Sequence, residues 1–199
     1  EGDEMAAQFH CVASFATEED APGCIAGIHQ RAYAFGAAAR VTPFVWTSED
    51  AGATWRRSSP PAGARGELRR LCWHRGELVA LAGARSVLTR GRAGTSWSAF
   101  SLNLPAGRID DIGARGDYLY CRLDGNASVY RSRTGRMWAG ASTPLGARAT
   151  NGVLDVTAAG IAVRAGEALA VSPDGNDWTL LFDTMPRVDP PAWRSPDTA

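Results

Sequence analysis

The sequence contains no lysine: all 21 basic residues are arginine, and 21 acidic residues balance them to a formal net charge of zero. A chain with no net positive field has nothing in its composition to draw it to nucleic acid or to an anionic membrane surface, so neither is expected as a partner. Arginine-only usage reads as the mark of a GC-rich bacterial genome, because the two basic side chains substitute for one another at most exposed positions. No apolar run reaches the roughly 18 residues that a spanning helix needs, so no transmembrane segment is expected. Histidine is scarce, with His10, His29 and His74 far apart, and the four cysteines, Cys11, Cys24, Cys72 and Cys121, include no C-x-x-C pair. These spacings exclude the common zinc frameworks, and no metal site is expected. No serine sits in a G-x-S-x-G context and no glycine run opens a helix, so neither an activated hydroxyl nucleophile nor a phosphate cradle is in view, and no cofactor is expected.

What the chain does have is a repeat. Trp55, Trp97, Trp138 and Trp178 recur with a period of 40 to 42 residues, each preceded three positions earlier by a glycine, Gly52, Gly94, Gly135 and Gly175. A period near 40 residues with a turn glycine and an aromatic at a fixed offset is the pattern of a propeller, in which each unit is one small antiparallel sheet. Within a unit the sequence reads strand, turn, strand, turn, strand, glycine–tryptophan turn, strand. The second unit gives strands over 68–74, 77–82, 86–89 and 97–102, and the third over 109–114, 118–123, 128–130 and from 138 onward. Alternation of Tyr118 and Tyr120 with Leu119 and Cys121 marks a strand, and no segment shows a helical period.

The most complete turn is Ser48-Glu49-Asp50-Ala51-Gly52-Ala53-Thr54-Trp55, which fits S-x-D-x-G-x-T-W at every fixed position. It resembles the Asp-box, or bacterial neuraminidase, repeat of sialidases and of many non-enzymatic bacterial propellers, including photosystem II stability and assembly factors. In such a turn the hydroxyl and carboxylate bond nearby backbone amides, the glycine takes a dihedral others avoid, and the tryptophan packs between sheets. The role expected for Ser48, Asp50, Gly52, Thr54 and Trp55, and for the reduced copies Gly94 and Trp97, Gly135 and Trp138, and Ser172, Asp174, Gly175 and Trp178, is therefore structural.

The expected fold is all-β, a propeller of four four-stranded blades over 22–185, with a C-terminal tail at 186–199. Residues 1–21 carry an extra strand over 8–15, read as the remnant of a preceding blade. Whether four blades close a small ring, await another chain or belong to a longer propeller stays open, and self-association or neighbouring blades follow from an uncovered sheet edge. Pro-Gly loops between blades, at 61–65, 105–108 and 144–148, and the turns between second and third strands crown the face opposite the Asp-box turns. Arg65, Arg108 and Arg148 from the first set, with Arg40 and Arg85 from the second, form the candidate binding surface, because planar guanidinium groups pair bidentately with carboxylate or phosphate.

The resemblance to assembly factors implies a non-enzymatic binding or assembly module with a protein partner or anionic ligand. The first alternative is a glycan-binding or sialidase-like protein, and the second a structural subunit of a larger assembly. No catalytic residue is assigned. The Arg-Ile-Pro string of retaining sialidases is missing, Arg108-Ile109-Asp110 being the nearest, and the adjacent Asp110 and Asp111 point to opposite faces of a strand. The chain starts at Glu1, which allows for a removed leader, and the expected location is extracytoplasmic, periplasmic or secreted. There Cys11 and Cys24, which flank a polar loop, could form a disulfide, while Cys72 and Cys121 read as buried thiols.

Overall fold

The computed structural model describes residues 15–17, 25–35, 38–58, 68–91, 96–100, 102–147 and 152–183. Among these there is no α-helix. Sixteen strands form four separate four-stranded antiparallel sheets, each ordered as in the sequence. The first blade is β1 (Phe15–Thr17), β2 (Ile25–Phe35), β3 (Ala38–Ser48) and β4 (Arg56–Ser58), and the second is β5 (Leu68–His74), β6 (Glu77–Ala82), β7 (Ser86–Gly91) and β8 (Ser98–Phe100). The third is β9 (Ile109–Arg115), β10 (Tyr118–Leu123), β11 (Ser128–Ser132) and β12 (Ala139–Ser142). The fourth is β13 (Val153–Thr157), β14 (Gly160–Ala165), β15 (Ala168–Ser172) and β16 (Thr179–Phe182). The fold is a β-propeller.

Phe15, the last residue of the N-terminal strand expected over 8–15, opens β1. That strand pairs with β2 through Phe15↔Gly27 and Thr17↔Ile25 and holds the innermost place in its sheet, as β5, β9 and β13 do in theirs. It is thus a member of the first blade, and the first sheet begins before residue 22. The rest of that strand, the Pro-Gly loop at 61–65, Gly94, Cys11, Cys24 and the tail lie outside the described residues.

Alternation along each strand gives every blade two faces, a front toward the following blade and a back toward the preceding one. The buried side chains consequently form three cores, one at each blade junction. Ala26 and Val45 on the front of the first blade meet Leu71, Trp73, Leu78, Leu88 and Trp97 on the back of the second. Val79, Leu81 and Val87 meet Ile109, Leu119, Cys121 and Tyr130, with Trp138 against them. Tyr120 and Val129 meet Leu154, Ile161, Val163 and Ala170, with Trp178 against them. The turn tryptophans of the second, third and fourth blades thus reach back to the preceding blade. Tyr118 and Tyr120 serve one junction while Leu119 and Cys121 serve the other.

The inner strands run side by side, β1 against β5, β5 against β9 and β9 against β13. The approach of β9 to β13 leaves no room for a side chain at Gly113, where a Cβ would lie 2.7 Å from Val156 Cβ. Among the described residues β13 makes no comparable contact with β1, so the four blades form an arc.

Polar bonds repeat across junctions. His74, which ends β5, places Nε2 2.9 Å from the Arg133 carbonyl in the next blade, and Arg115, which ends β9, donates to the Pro173 carbonyl. Arg133 and Pro173 each follow the turn serine of their blade, so the same latch is built twice from different donors. In the second blade the serine position is occupied by Arg90. Its guanidinium is buried, stacks 5.4 Å from the Trp97 ring and donates to Ser58 Oγ and Thr47 Oγ1 of the first blade.

Candidate functional site

The antiparallel order of each sheet separates two ends of the molecule. Turns between first and second strands, and between third and fourth, lie at one end. Turns between second and third strands, and the connections between blades, lie at the other. The turn hydrogen bonds are local. Ser48 Oγ accepts from Gly52 N at 2.7 Å, while Asp50 accepts from Thr54 N at 2.8 Å and from Thr54 Oγ1 at 2.6 Å. The Trp55 indole donates to the Gly52 carbonyl at 3.0 Å, and the bond recurs from Trp138 to Gly135 and from Trp178 to Gly175. These bonds, that from the Thr54 hydroxyl first, hold the Asp50 carboxyl down at about 2.

Of the five expected arginines, Arg40, Arg85 and Arg108 lie among the described residues. Arg85 donates to the carbonyls of Leu104, Pro105 and Gly107, at 3.1, 2.6 and 2.5 Å, and so ties down the connection to the third blade. Arg108 is exposed at the loop end. Arg40 falls within β3, paired with Tyr33, because β2 and β3 extend so far that only 36–37 separate them. Arg65 and Arg148 lie outside the described residues.

A cleft of about 400 Å³ opens instead at the Asp-box end, between the third and fourth blades. The β9–β10 turn supplies Arg115, Asp117 and Tyr118, β10 supplies Tyr120, and the fourth blade supplies Ala158 and Asp174. Arg115 Nε donates to the Ala158 carbonyl at 3.1 Å, and the Tyr120 hydroxyl donates to the Asp174 carbonyl at 3.0 Å. The half-buried Tyr118 ring carries two guanidinium groups, Arg131 and Arg133, each 5.0 Å from its centroid. Arg131 Nη1 also lies 4.0 Å from Asp174 Oδ2. The amides of Asn176 and Asp177 hold the Asp174 carboxyl below its usual range, so it stays anionic, whereas burial pushes the Tyr120 phenol up and keeps it neutral. Three arginines thus gather around an aromatic platform with two aspartates at the rim, an arrangement that suits a charged, hydrogen-bonding segment of a partner.

The adjacent carboxylates Asp110 and Asp111 are both engaged. Asp111 accepts from Arg70 Nε at 2.8 Å and Nη2 at 3.2 Å, and Asp110 accepts from Arg122. Burial pushes the Asp111 carboxyl up against the pull of Arg70, so pairing only partly offsets the removal of the carboxylate from water. Cys72 and Cys121 are free thiols, and desolvation pushes the Cys72 thiol up to about 12. No three metal-ligating side chains cluster among the described residues.

The cleft was not legible in the sequence. The one available signal was an aromatic pair, Tyr118 and Tyr120, beside a basic pair, Arg131 and Arg133, at the same two-residue spacing. Only the register Tyr120↔Arg131 turns those pairs into one surface.

Three solved propellers show what the chain is similar to. YCF48 bound to D1 peptide matches with 16% identity and a TM-score of 0.55 over 95% of this chain and 71% of that one. A streptogramin B lyase matches with 10% identity and a TM-score of 0.56 over 92% and 74%. A sialidase of Trypanosoma rangeli, in complex with 2,3-difluorosialic acid, matches with 14% identity and a TM-score of 0.52 over 87% and 37%. At these identities the likeness is one of fold. No protein-family profile matches the chain, and no curated protein does either.

Proposed function

We propose that the chain is a non-enzymatic binding or assembly module whose cleft between the third and fourth blades holds an anionic group of a protein partner. The stacking of Arg131 and Arg133 on Tyr118 beside a cleft of about 400 Å³ carries the reading. A guanidinium laid on an aromatic ring presents its in-plane donors edge-on to a carboxylate or phosphate, and of the two Arg131 already directs Nη1 at the Asp174 carbonyl at 3.4 Å. The pairing of both Asp110 and Asp111 with arginines supports the non-enzymatic half, since adjacent carboxylates in ion pairs make poor proton shuttles. A propeller of similar fold, YCF48, has been solved bound to a D1 peptide, which supports a protein partner. The loop face enters the proposal through exposed Arg108, with Arg65 and Arg148 expected beside it. An extracytoplasmic location with a Cys11–Cys24 disulfide is part of the same reading, tested by mass spectrometry of the unreduced chain.

The decisive experiment titrates the chain against an array of immobilised acidic peptides. Replacing Arg131 and Arg133 together by Gln should weaken capture roughly tenfold or more, and added salt should weaken the wild type in the same direction. Replacing Arg65, Arg108 and Arg148 by Gln should have the smaller effect. The reverse ranking moves the site to the loop face, and capture unchanged by either set removes the anionic reading altogether. Turnover of a fluorogenic sialoside would favour the glycosidase alternative.

A further inference from the structure

We propose that the arc binds a second copy of this chain, the front of one fourth blade against the back of the other's first blade, so that two chains complete an eight-bladed ring. The repeats identify the contact positions. Strand register places Val45, Val87, Val129 and Leu169 at one equivalent front position. The first three are fully buried beneath a following blade, whereas Leu169 is only half-buried. Trp46, Leu88, Tyr130 and Ala170 share the equivalent back position; Leu88 and Ala170 are 0% exposed and Trp46 is 36% exposed. The turn tryptophans repeat the pattern, with Trp97 at 9% and Trp55 at 40%.

Around Leu169 the open front also carries Ala162, Val171 and Phe182, the last 41% exposed, together with the exposed charges of Arg164 and Asp155. Leu169 at one end of the arc and Trp46 at the other are therefore apolar side chains at positions that every internal junction buries.

A front receives a back at each of the three internal junctions, so the fitting partner for the free front of the fourth blade is a back. Among the described residues the first blade holds the free one. Among the described residues a single chain does not bring the two together, since β13 and β1 make no contact comparable to that of neighbouring inner strands. A second copy supplies both missing surfaces at once. Front-to-back contacts are heterologous and are satisfied throughout only when the rotation closes. The four described blades taken twice give eight, at the upper end of the roughly four to eight that propellers typically use, and three times would exceed it.

The test uses the full chain. Light scattering after size exclusion should report twice the mass of one chain, with no larger species. Leu169→Asp on the front and Trp46→Asp on the back should each give monomers, and mixing the two variants should restore a two-chain species, because each keeps the face that the other lacks. Unchanged hydrogen exchange in β5 to β12 establishes that both variants are folded, and a Phe182→Asp variant replaces Leu169→Asp if that one is not. A wild-type chain that stays monomeric overturns the proposal. So does a Trp46→Asp variant that pairs with itself, a mixture that stays monomeric, or a ladder of higher multiples.

Discussion

Asp50 shows how much of one residue's work is local. Its carboxylate accepts three bonds from Ser48 and Thr54, all within four residues, and the folded value lies near 2 against an ordinary 3.8. A depressed acid stabilises the fold above its unfolded pKa and loses that contribution as pH falls through the folded one. Thermal midpoints of wild type and Asp50→Asn should therefore differ at neutral pH, with the wild type higher, and converge as pH drops from 3.8 toward about 2. A gap that is constant with pH would remove the carboxylate from the account. Gly175 has the sharper requirement, with φ +84° and a position where a Cβ would stand 2.6 Å from Tyr120 Cε1. Gly175→Ala should cost about 2 kcal/mol or more, from backbone strain together with displacement of that ring, as read by denaturant unfolding. A cost below about half a kcal/mol, the usual range for surface changes, would show that the turn relaxes freely.

At the scale of elements, the latch between an inner strand and the next blade's turn occurs twice with unrelated side chains. His74 must donate through Nε2 to the Arg133 carbonyl, while Arg115 donates to the Pro173 carbonyl. The position is thus defined by geometry rather than by residue type, which is why no motif announces it. His74→Ala and Arg115→Ala should each destabilise by about 1 to 2 kcal/mol through the carbonyl left without its donor. Because the two latches sit at different junctions, the double variant should equal the sum of the singles within about 0.5 kcal/mol. A coupling well above that would mean that the second and third junctions yield as one unit. Arg85 belongs at this scale too. Its place in a turn suggested a ligand contact, yet three carbonyls of the following connection take up its donors.

Across the whole molecule, stability resides in three junction cores rather than in one centre, so it should be graded along the chain. The second and third blades are covered on both faces, the first and fourth on one. Native-state hydrogen exchange on dilute protein should find β5 to β12 more protected than β1 to β4 and β13 to β16. Uniform protection would indicate a single cooperative unit and contradict a fold held together junction by junction. The cleft between the third and fourth blades spans one such junction, so a ligand bound there should raise the protection of β13 to β16 most.

The sequence by itself determined the repeat, the strands and the turns, because those depend on interactions over a few residues. The bonds from Ser48 to Trp55 and the alternation of Tyr118 to Cys121 are written in neighbouring positions. It also determined that each sheet has two apolar faces and must stack. Tertiary structure alone decided which end of the blades holds a cleft, since Tyr118, Arg131 and Asp174 meet only after a hairpin register is set and a second blade packs beside it. It decided that Arg85 is bound by backbone, that Asp110 and Asp111 each meet an arginine, and that β1 completes the first blade. It decided as well that four blades leave an arc. Closure depends on the angle accumulated over successive junctions, and no local pattern of residues records that sum.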